Sequence, residues 1–386
     1  MRLISTLLIA IAIGYTHDVV HAGIVSAPAV KTSDSRLDAD LKMDRRGRLL
    51  KAAMLSKALT YSGNIGIQFK ADEGFDQAFE RNRELLRRRG TRRVRTIGDA
   101  TVSRERNRKT MKAIATWRTT AMIPLDEYVE AYQLQGNDRR GNVQYTGYFA
   151  PVIDVSLKKT EKYRYPIYRM PNQAPSTIPT RQQIDSKGAL KGKGLEICYA
   201  ADPTDIYYMQ VQGSGYVRYR DGSTQLLSYD GRNKHPFKGI ERLLLDNPER
   251  YPIKSISPKG VKAYLAANTK FRQRVLNHNP SYTFFKPEKK RKQVRGAGFV
   301  PLTDHYSIAS DRRYLPMGSI VLAEIPVVDE NGYLIGHEHR LLFAQDTGGK
   351  IKGPGHVDVY HGVGDQAFAE AGKLNHYGRM WMLSAS

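Results

Sequence analysis

Two aspartates, Asp346 and Asp358, lie on either side of a glycine-rich loop in the C-terminal part of the 386-residue chain. Asp346 follows the apolar run LLFA at 341–344, and Asp358 is the middle residue of the alternating sequence HVDVY at 356–360. Successive side chains of a strand point to opposite faces, so Val357 and Val359 are expected on one face and Asp358 on the other. A carboxylate at the end of a buried strand, beside glycines that leave its approach open, is suited to general acid catalysis. The alternative is that Asp346 only caps the glycine turn and that Asp358 is an ordinary carboxylate at a strand end.

A second stretch, QVQGSGYV at 210–217, has the residue types of a ligand-binding loop. Its glycines allow a ligand to approach the backbone closely. Gln212, Ser214 and Tyr216 offer hydrogen bonds and an aromatic face, a combination that suits a sugar. A β-bulge or a tight hairpin would explain the same residues without any ligand.

The chain carries 61 basic and 38 acidic residues, which gives a net charge of +23 and a pI near 9.9. Such a surface attracts a polyanion: nucleic acid, anionic lipid or an acidic cell-wall polymer. Charge alone does not choose among these three, and a basic proteome background would produce the same balance. The length allows about two or three domains.

The N-terminus has the pattern of a signal peptide. Arg2 precedes an apolar run, 3–13, that is too short to span a bilayer, and the sequence VHA at 20–22 has the spacing of a cleavage site. We therefore expect residues 1–22 to be removed and the mature protein to be periplasmic, although an uncleaved signal anchor is the alternative. Cys198 is the only cysteine, so neither a disulfide within the chain nor a lipid anchor at the cleavage site is expected.

The sequence predicts no metal and no cofactor. His356 and His361 flank Asp358, but their spacing fits no standard zinc pattern.

Hydrophobic periodicity divides the rest of the chain into helical and β-rich regions. Residues 23–46 are polar and aperiodic and are expected to form a mobile lead-in. Helices are predicted after Gly47, at 72–89, at 104–120, at 124–136 and within 236–279; strands are predicted at 142–151, 163–168, 195–199, 207–211, 306–309 and 320–323, with a hairpin turn at Asp221-Gly222. Helices on both sides of two β-rich regions indicate an α+β fold.

Several blocks in order make the chain resemble the lytic murein transglycosylase A family. They are 141–151, 165–171, 210–216, 279–286, 309–319, 344–360 and the C-terminal sequence NHYGRMW at 375–381. Asp311, Asp346 and Asp358 match the three aspartates after which the C-terminal 3D module of that family is named. The resemblance extends from about Ile123 to the end of the chain.

The resemblance implies a double-psi β-barrel main domain with N-terminal helices, interrupted by a smaller inserted β-barrel domain, with a substrate groove between them. On this chain the main domain would comprise 47–151 and 293–386, and the inserted domain 152–292, with Ala150 and Val152 bridging the two. The implied reaction cleaves the β-1,4 bond between N-acetylmuramic acid and N-acetylglucosamine in peptidoglycan and leaves a 1,6-anhydro product.

The resemblance also implies roles for individual residues. Asp358 would be the catalytic acid and then base, with Asp346 beside it. Thr146, Tyr148, Gln212, Ser214 and Tyr216 would line the substrate groove. Because an aspartate near its ordinary pKa of about 3.9 is ionised at neutral pH, burial must raise the pKa of Asp358, and a pH optimum on the acidic side of neutral is expected.

The expected partners are peptidoglycan glycan strands, with possible peripheral contact to an anionic membrane or wall surface, no nucleic acid, and a monomeric state. Well-known members of the family are lipoproteins, whereas this signal region has no lipidation cysteine. Three other interpretations compete: an expansin-like, non-catalytic wall-binding protein, a basic nucleic-acid-binding protein, and a hydrolase on the same fold. The nucleic-acid interpretation finds support in the basic run 87–95 but lacks any recognised motif.

Overall fold

A computed structural model of the chain describes residues 58–63, 65–67, 72–88, 93–120 and 124–385. The predicted signal peptide, the lead-in at 23–46 and most of the helix predicted after Gly47 lie outside these residues. The apolar periodicity that predicts this helix extends to Leu59, but Leu59 instead begins a strand. Within the described residues, no helix is both long and apolar enough to cross a membrane.

The strands fall into one large sheet, one smaller sheet and a two-stranded ribbon. In chain order they are β1 (Leu59–Gly63), β2 (Arg95–Ile97), β3 (Ala100–Val102), β4 (Glu130–Leu134), β5 (Val143–Ala150), β6 (Val152–Ser156), β7 (Tyr165–Tyr168), β8 (Glu196–Ala200), β9 (Gly215–Arg218), β10 (Thr224–Arg232), β11 (Thr283–Pro287), β12 (Ser307–Ala309), β13 (Ile320–Val328), β14 (Leu334–Asp346), β15 (His356–Val363), β16 (Asn375–Gly378) and β17 (Met380–Ser384).

The α-helices are α1 (Glu73–Arg87), α2 (Arg104–Thr120), α3 (Pro203–Gln212), α4 (Ile240–Leu245), α5 (Pro258–Ala267), α6 (Thr269–Asn277) and α7 (Gly364–Ala371). A 3-10 turn at Leu125–Glu127 and a π-helical turn at Gln182–Ser186 complete the helical elements of the described residues.

Nine strands form the large sheet, in the order β1-β4-β17-β13-β14-β12-β15-β5-β16. It is mixed: β5 pairs in parallel with β15, β12 pairs in parallel with β14, and the remaining neighbours are antiparallel. The pairings within the described residues do not close this sheet on itself, so the double-psi β-barrel remains a prediction.

Helices α1 and α2, both predicted from apolar periodicity, cover one face of the large sheet. Asp72 caps α1 by accepting a hydrogen bond from the backbone N–H of Phe75. Phe75 and Phe79 then pack against Phe343 of β14, with ring centroids 6.0 and 6.4 Å away. These contacts fix the position of β14, whose last residue is Asp346.

Two element predictions were wrong, the first because of tertiary strand pairing and the second because of local helix signals. The helix predicted at 124–136 is only the 3-10 turn, followed by β4, because β1 and β17 pair with that segment from both sides. The strand predicted at 207–211 belongs to helix α3. Asp202 caps this helix, Pro203 opens it, and Gly213 ends it in the left-handed conformation with φ 84°.

The smaller sheet has six strands in the order β11-β10-β9-β6-β8-β7. The chain enters it at Pro151, between β5 of the large sheet and β6. Strands β9 and β10 form the hairpin predicted at Asp221-Gly222, where Gly222 has φ 82°. Helices α4, α5 and α6 pack against α3 through a cluster that includes Tyr207, Leu244, Val261 and Val275.

Candidate active site

The two aspartates singled out in the sequence lie on strands that flank β12. Ala309 of β12 is the register partner of Asp346 on β14 and of Asp358 on β15. Neighbouring strands are about 4.8 Å apart, so the two aspartate backbones are about 10 Å apart, on either side of Ala309. The sheet therefore brings the two carboxylates to one place.

Asp358 is held by the opposite residue of β5. Thr146 pairs with Asp358 in the parallel register, and its Oγ1 donates a hydrogen bond of 2.9 Å to Asp358 Oδ1. The same Oγ1 lies 2.9 Å from His356 Nε2. Thr146 has only one hydroxyl proton to donate. Both hydrogen bonds can therefore form when His356 Nε2–H donates to Thr146 Oγ1 and Thr146 donates to Asp358.

Burial dominates the electrostatics of Asp358. Removal from water raises the pKa of this carboxyl from 3.8 to about 7, with the charge of Asp346 adding to the rise and the Thr146 hydrogen bond opposing it. Burial also lowers the pKa of His356 to about 4, so its imidazole is neutral at neutral pH. A carboxyl with a pKa near 7 can both donate and accept a proton at neutral pH.

Asp346 has a different environment. Its Oδ1 accepts hydrogen bonds of 2.8 Å from the backbone N–H groups of Ala297 and Thr347, and its Oδ2 accepts one of 3.0 Å from the hydroxyl of Tyr148. Burial raises the pKa of Asp346, and these three donors oppose that rise. Asp346 thus has three donors that favour its ionised form, whereas Asp358 has only Thr146, so Asp358 is the group better suited to carry a proton.

Three tyrosines form an aromatic wall beside the carboxylates. The rings of Tyr148 and Tyr360 have centroids 5.2 Å apart, and both pack with Tyr216 in one apolar cluster. The hydroxyl of Tyr216 donates a 2.7 Å hydrogen bond to the carbonyl of Lys292. Tyr216 and Leu226 come from the smaller sheet, so this wall lies where the two sheets meet.

Gln212 and Ser214 lie at the end of α3 and in the turn that follows it. The side-chain carbonyl of Gln212 accepts a 3.2 Å hydrogen bond from the backbone N–H of Phe149 on β5. Next to it, the N–H of Tyr216 donates to the carbonyl of Pro151 at 2.7 Å. This turn therefore docks onto the crossing between the sheets, and the sugar-binding roles assigned to Gln212 and Ser214 remain predictions.

Asp311, the third aspartate of the motif, serves the structure of a loop. It pairs with Arg313 and accepts a 3.0 Å hydrogen bond from the backbone N–H of Gly353. These partners lower its pKa although burial opposes them. Asp311 thus fixes the glycine-rich loop that precedes β15.

Sequence reasoning missed two residues of the site, His356 and Tyr360. Both stand two positions from Asp358 on β15, and strand periodicity alone places the three side chains on the same face. It also missed a cluster formed by His305, His361 and Glu370, because no cysteine or histidine spacing in the sequence had suggested a metal site.

Two protein-family models match the chain. Residues 144–286 match the MltA specific insert domain, and residues 306–384 match the 3D domain. Membrane-bound lytic murein transglycosylase A of Escherichia coli (strain K12) is 40% identical over 261 residues, which cover 67% of this chain and 70% of the relative. The same protein of Vibrio cholerae is 40% identical over 260 residues, 66% and 69% of the two chains.

Solved structures show the same likeness. The crystal structure of E. coli MltA with bound chitohexaose has a TM-score of 0.73 at 31% identity and covers 85% of this chain and 95% of the other. A membrane-bound lytic murein transglycosylase from Agrobacterium tumefaciens, at 24% identity over 85% of this chain and 98% of that one, shares the fold with a TM-score of 0.66. With its two family domains in order and relatives at this level of identity, the chain belongs to the lytic murein transglycosylase A family of enzymes.

Proposed function

We propose that this protein is a lytic transglycosylase that cleaves the β-1,4 bond between N-acetylmuramic acid and N-acetylglucosamine in peptidoglycan and forms 1,6-anhydromuropeptides. The observation that carries the proposal is the half-buried Asp358, whose pKa is raised to about 7 by its enclosure. One such group can serve as acid and then as base, whereas ordinary glycosidases use two carboxyl groups in separate roles.

In the first step the Asp358 carboxyl donates its proton to the glycosidic oxygen, and the bond from that oxygen to C1 of N-acetylmuramic acid breaks. Positive charge then develops on the sugar ring. In the second step the Asp358 carboxylate removes the proton of the C6 hydroxyl, and O6 forms a bond to C1. The proton lost in the first step is regained in the second, and no water is consumed.

Asp346 assists through its charge. Its three hydrogen-bond donors favour the ionised form, and in that form it would stabilise positive charge on the ring and disfavour ionisation of Asp358 before the substrate binds. The chain from His356 through Thr146 orients the Asp358 carboxyl. Orientation matters because proton transfer requires hydrogen-bond distance to the reacting oxygen.

The substrate would lie along the aromatic wall where the two sheets meet. Sugar rings present apolar faces that pack on aromatic side chains, and Tyr148 and Tyr216 are the partly exposed members of this wall, whereas Tyr360 is buried. The related E. coli structure contains chitohexaose, a bound oligosaccharide. Thr146, Gln212 and Ser214 would supply hydrogen bonds at the edge of this groove, and the net charge of +23 favours approach to an anionic wall.

The surroundings of the enzyme follow from the same proposal. We assign it to the periplasm, as a monomer in peripheral contact with the wall or membrane surface and without a nucleic-acid partner. The smaller sheet would be the inserted domain, 152–292, and the large sheet the barrel domain. Partition of the native protein into the membrane fraction at high salt would contradict the assignment of a soluble protein.

The deciding experiment is digestion of purified peptidoglycan by the mature chain, with mass spectrometry of the released muropeptides. Asp358→Asn is compared with Asp365→Asn, which changes an exposed aspartate at the start of α7. Anhydro products from wild type and Asp365→Asn, but not from Asp358→Asn, are expected.

The other outcomes distinguish the alternatives. Products heavier by one water would show a hydrolase and a second catalytic group. Tight binding to the wall without release of products by any variant would favour the expansin-like binding protein.

A further inference from the structure

A second group of side chains that could hold a ligand lies on the same strand as Asp358. His305 stands just before β12, His361 near the end of β15, and Glu370 on helix α7. One ligand atom from each lies within 4.8 Å of the other two. The mechanism proposed above uses none of these residues.

The distances fit a small metal ion. Glu370 Oε2 lies 3.4 Å from His305 Nε2 and 3.6 Å from His361 Nδ1. Ligand atoms placed about 2.0–2.1 Å from a tetrahedral zinc ion are about 3.3–3.4 Å from one another. The two measured separations are therefore close to those of ligands that share one ion, and too long for good hydrogen bonds.

The burial of His361 is the second, independent observation. Its side chain is only 10% exposed, and neither ring nitrogen has a hydrogen-bond partner among the described residues. A buried imidazole without partners is unfavourable unless another group satisfies it.

The neighbours of the cluster are arranged for ligation. Gln366 donates a 3.0 Å hydrogen bond to Glu370 Oε1, which orients the carboxylate and leaves Oε2 directed at both histidines. Asp304 packs its carboxylate against Gly362 and adds negative charge nearby. Arg340 is the opposing charge, but its guanidinium is paired with Glu338.

We propose that His305, His361 and Glu370 bind a divalent transition-metal ion of the zinc type, with water in the remaining position. His305 and Glu370 have side chains 41% and 37% exposed, so the ion can enter from solvent. The ion ties α7 and the segment before β12 to the end of β15. The end of β15 is already joined to this segment, because the backbone N–H of His305 donates a 2.6 Å hydrogen bond to the carbonyl of Tyr360. The role is structural, because the cluster lies outside the aromatic wall and the aspartate pair.

The test is calorimetric titration of zinc chloride into the untagged, chelator-treated mature chain, with thermal melting in parallel. Glu370→Gln and His305→Asn remove one ligand each; Asn tolerates the left-handed backbone of His305, which has φ 62°. The matched controls are Glu249→Gln, an exposed residue, and His278→Asn, a half-buried one, both distant in sequence from the cluster. Cobalt(II) as a second probe gives a visible absorption spectrum that reports the coordination geometry.

One zinc ion per chain and a raised melting temperature are expected for the wild type and both controls. Each ligand variant should bind at least about tenfold more weakly and lose the thermal shift, with an unchanged far-UV circular dichroism spectrum. The absence of binding in the micromolar range would overturn the proposal. Binding that is equally tight in both ligand variants would also overturn it, since the metal would then lie elsewhere.

Discussion

Replacement of Asp358 by asparagine should stabilise the protein at high pH while it removes activity. The pKa of Asp358 is raised in the folded state, from 3.8 to about 7. Below pH 3.8 the carboxyl is protonated in both the folded and the unfolded chain, and it has no effect on stability. As the pH rises from 3.8 toward 7, its ionisation in the unfolded chain increasingly lowers the free energy of unfolding, and above pH 7 this loss is complete. Asparagine fills nearly the same volume and carries no charge, so it avoids this penalty.

The size of the effect follows from the same pKa. A rise of the pKa from 3.8 to about 7 lowers the free energy of unfolding by at most about 4 kcal/mol, at about 1.36 kcal/mol per pKa unit. The side chain is partly exposed at the groove, and solvent screening reduces the expected value to about 2 kcal/mol.

Urea unfolding of wild type and Asp358→Asn at pH 5 and at pH 8 measures this difference directly. Because part of the penalty is already present at pH 5, the free energy of unfolding of the variant, relative to wild type, should increase by about 1 kcal/mol between the two pH values. Asp365→Asn, at an exposed position, controls for the general loss of one negative charge. If the difference between Asp358→Asn and wild type is the same at both pH values, Asp358 does not have a raised pKa, and the argument for its acid role fails.

Three further predictions follow from contacts of the site. Thr146→Val removes the hydrogen bond that lowers the pKa of Asp358. As a result, kcat/KM should fall by about tenfold, and the alkaline limb of the pH–rate profile should move to higher pH. An alkaline limb that does not move would contradict the contact between Thr146 and Asp358. Gly147→Ala places a Cβ 2.6 Å from the Cα of Ala371 and should destabilise the fold by about 1–3 kcal/mol in urea unfolding, whereas Gly349→Ala, with its nearest contact at 3.8 Å, should change stability little. Asp311→Asn should destabilise the protein by about 1–3 kcal/mol at pH 7. Because the pKa of Asp311 is lowered on folding, the difference in unfolding free energy between wild type and variant should shrink as the pH falls below 3.8. A difference that stays constant with pH would exclude the pairing with Arg313 as its cause.

The sequence was sufficient to find the two aspartates, because both signals are local. The apolar run before Asp346, the glycines after it and the alternation around Asp358 need no knowledge of the rest of the chain. Helices α1 and α2 were predicted for the same reason, since their apolar periodicity continues over several turns.

Predictions failed where local patterns compete. The segment YYMQV at 207–211 is rich in residues that favour strands, but the cap at Asp202 and the left-handed Gly213 make it a helix. The segment at 130–134 became a strand because β1 and β17 lie on both sides of it. Tertiary pairing of this kind overrides intrinsic propensity.

The contacts that tune the site could not be predicted from the sequence. Thr146 and Asp358 meet across 212 residues, through a parallel pairing that no periodicity reveals. His305, His361 and Glu370 come from a loop, a strand and a helix, with spacing that resembles no standard metal motif. In both cases the topology of the large sheet, and not the local sequence, decides which side chains meet.

The parallel pairing of β5 with β15 has a consequence for the timing of activity. The acid is on β15, and the threonine that holds it is on β5, with the whole smaller sheet between them in the chain. Pairing over such a separation is slow, and it cannot begin before β15 has been synthesised. A chain that ends before β15 lacks Asp358 and therefore has no assembled acid. The catalytic activity therefore requires the complete chain and appears only at the end of folding.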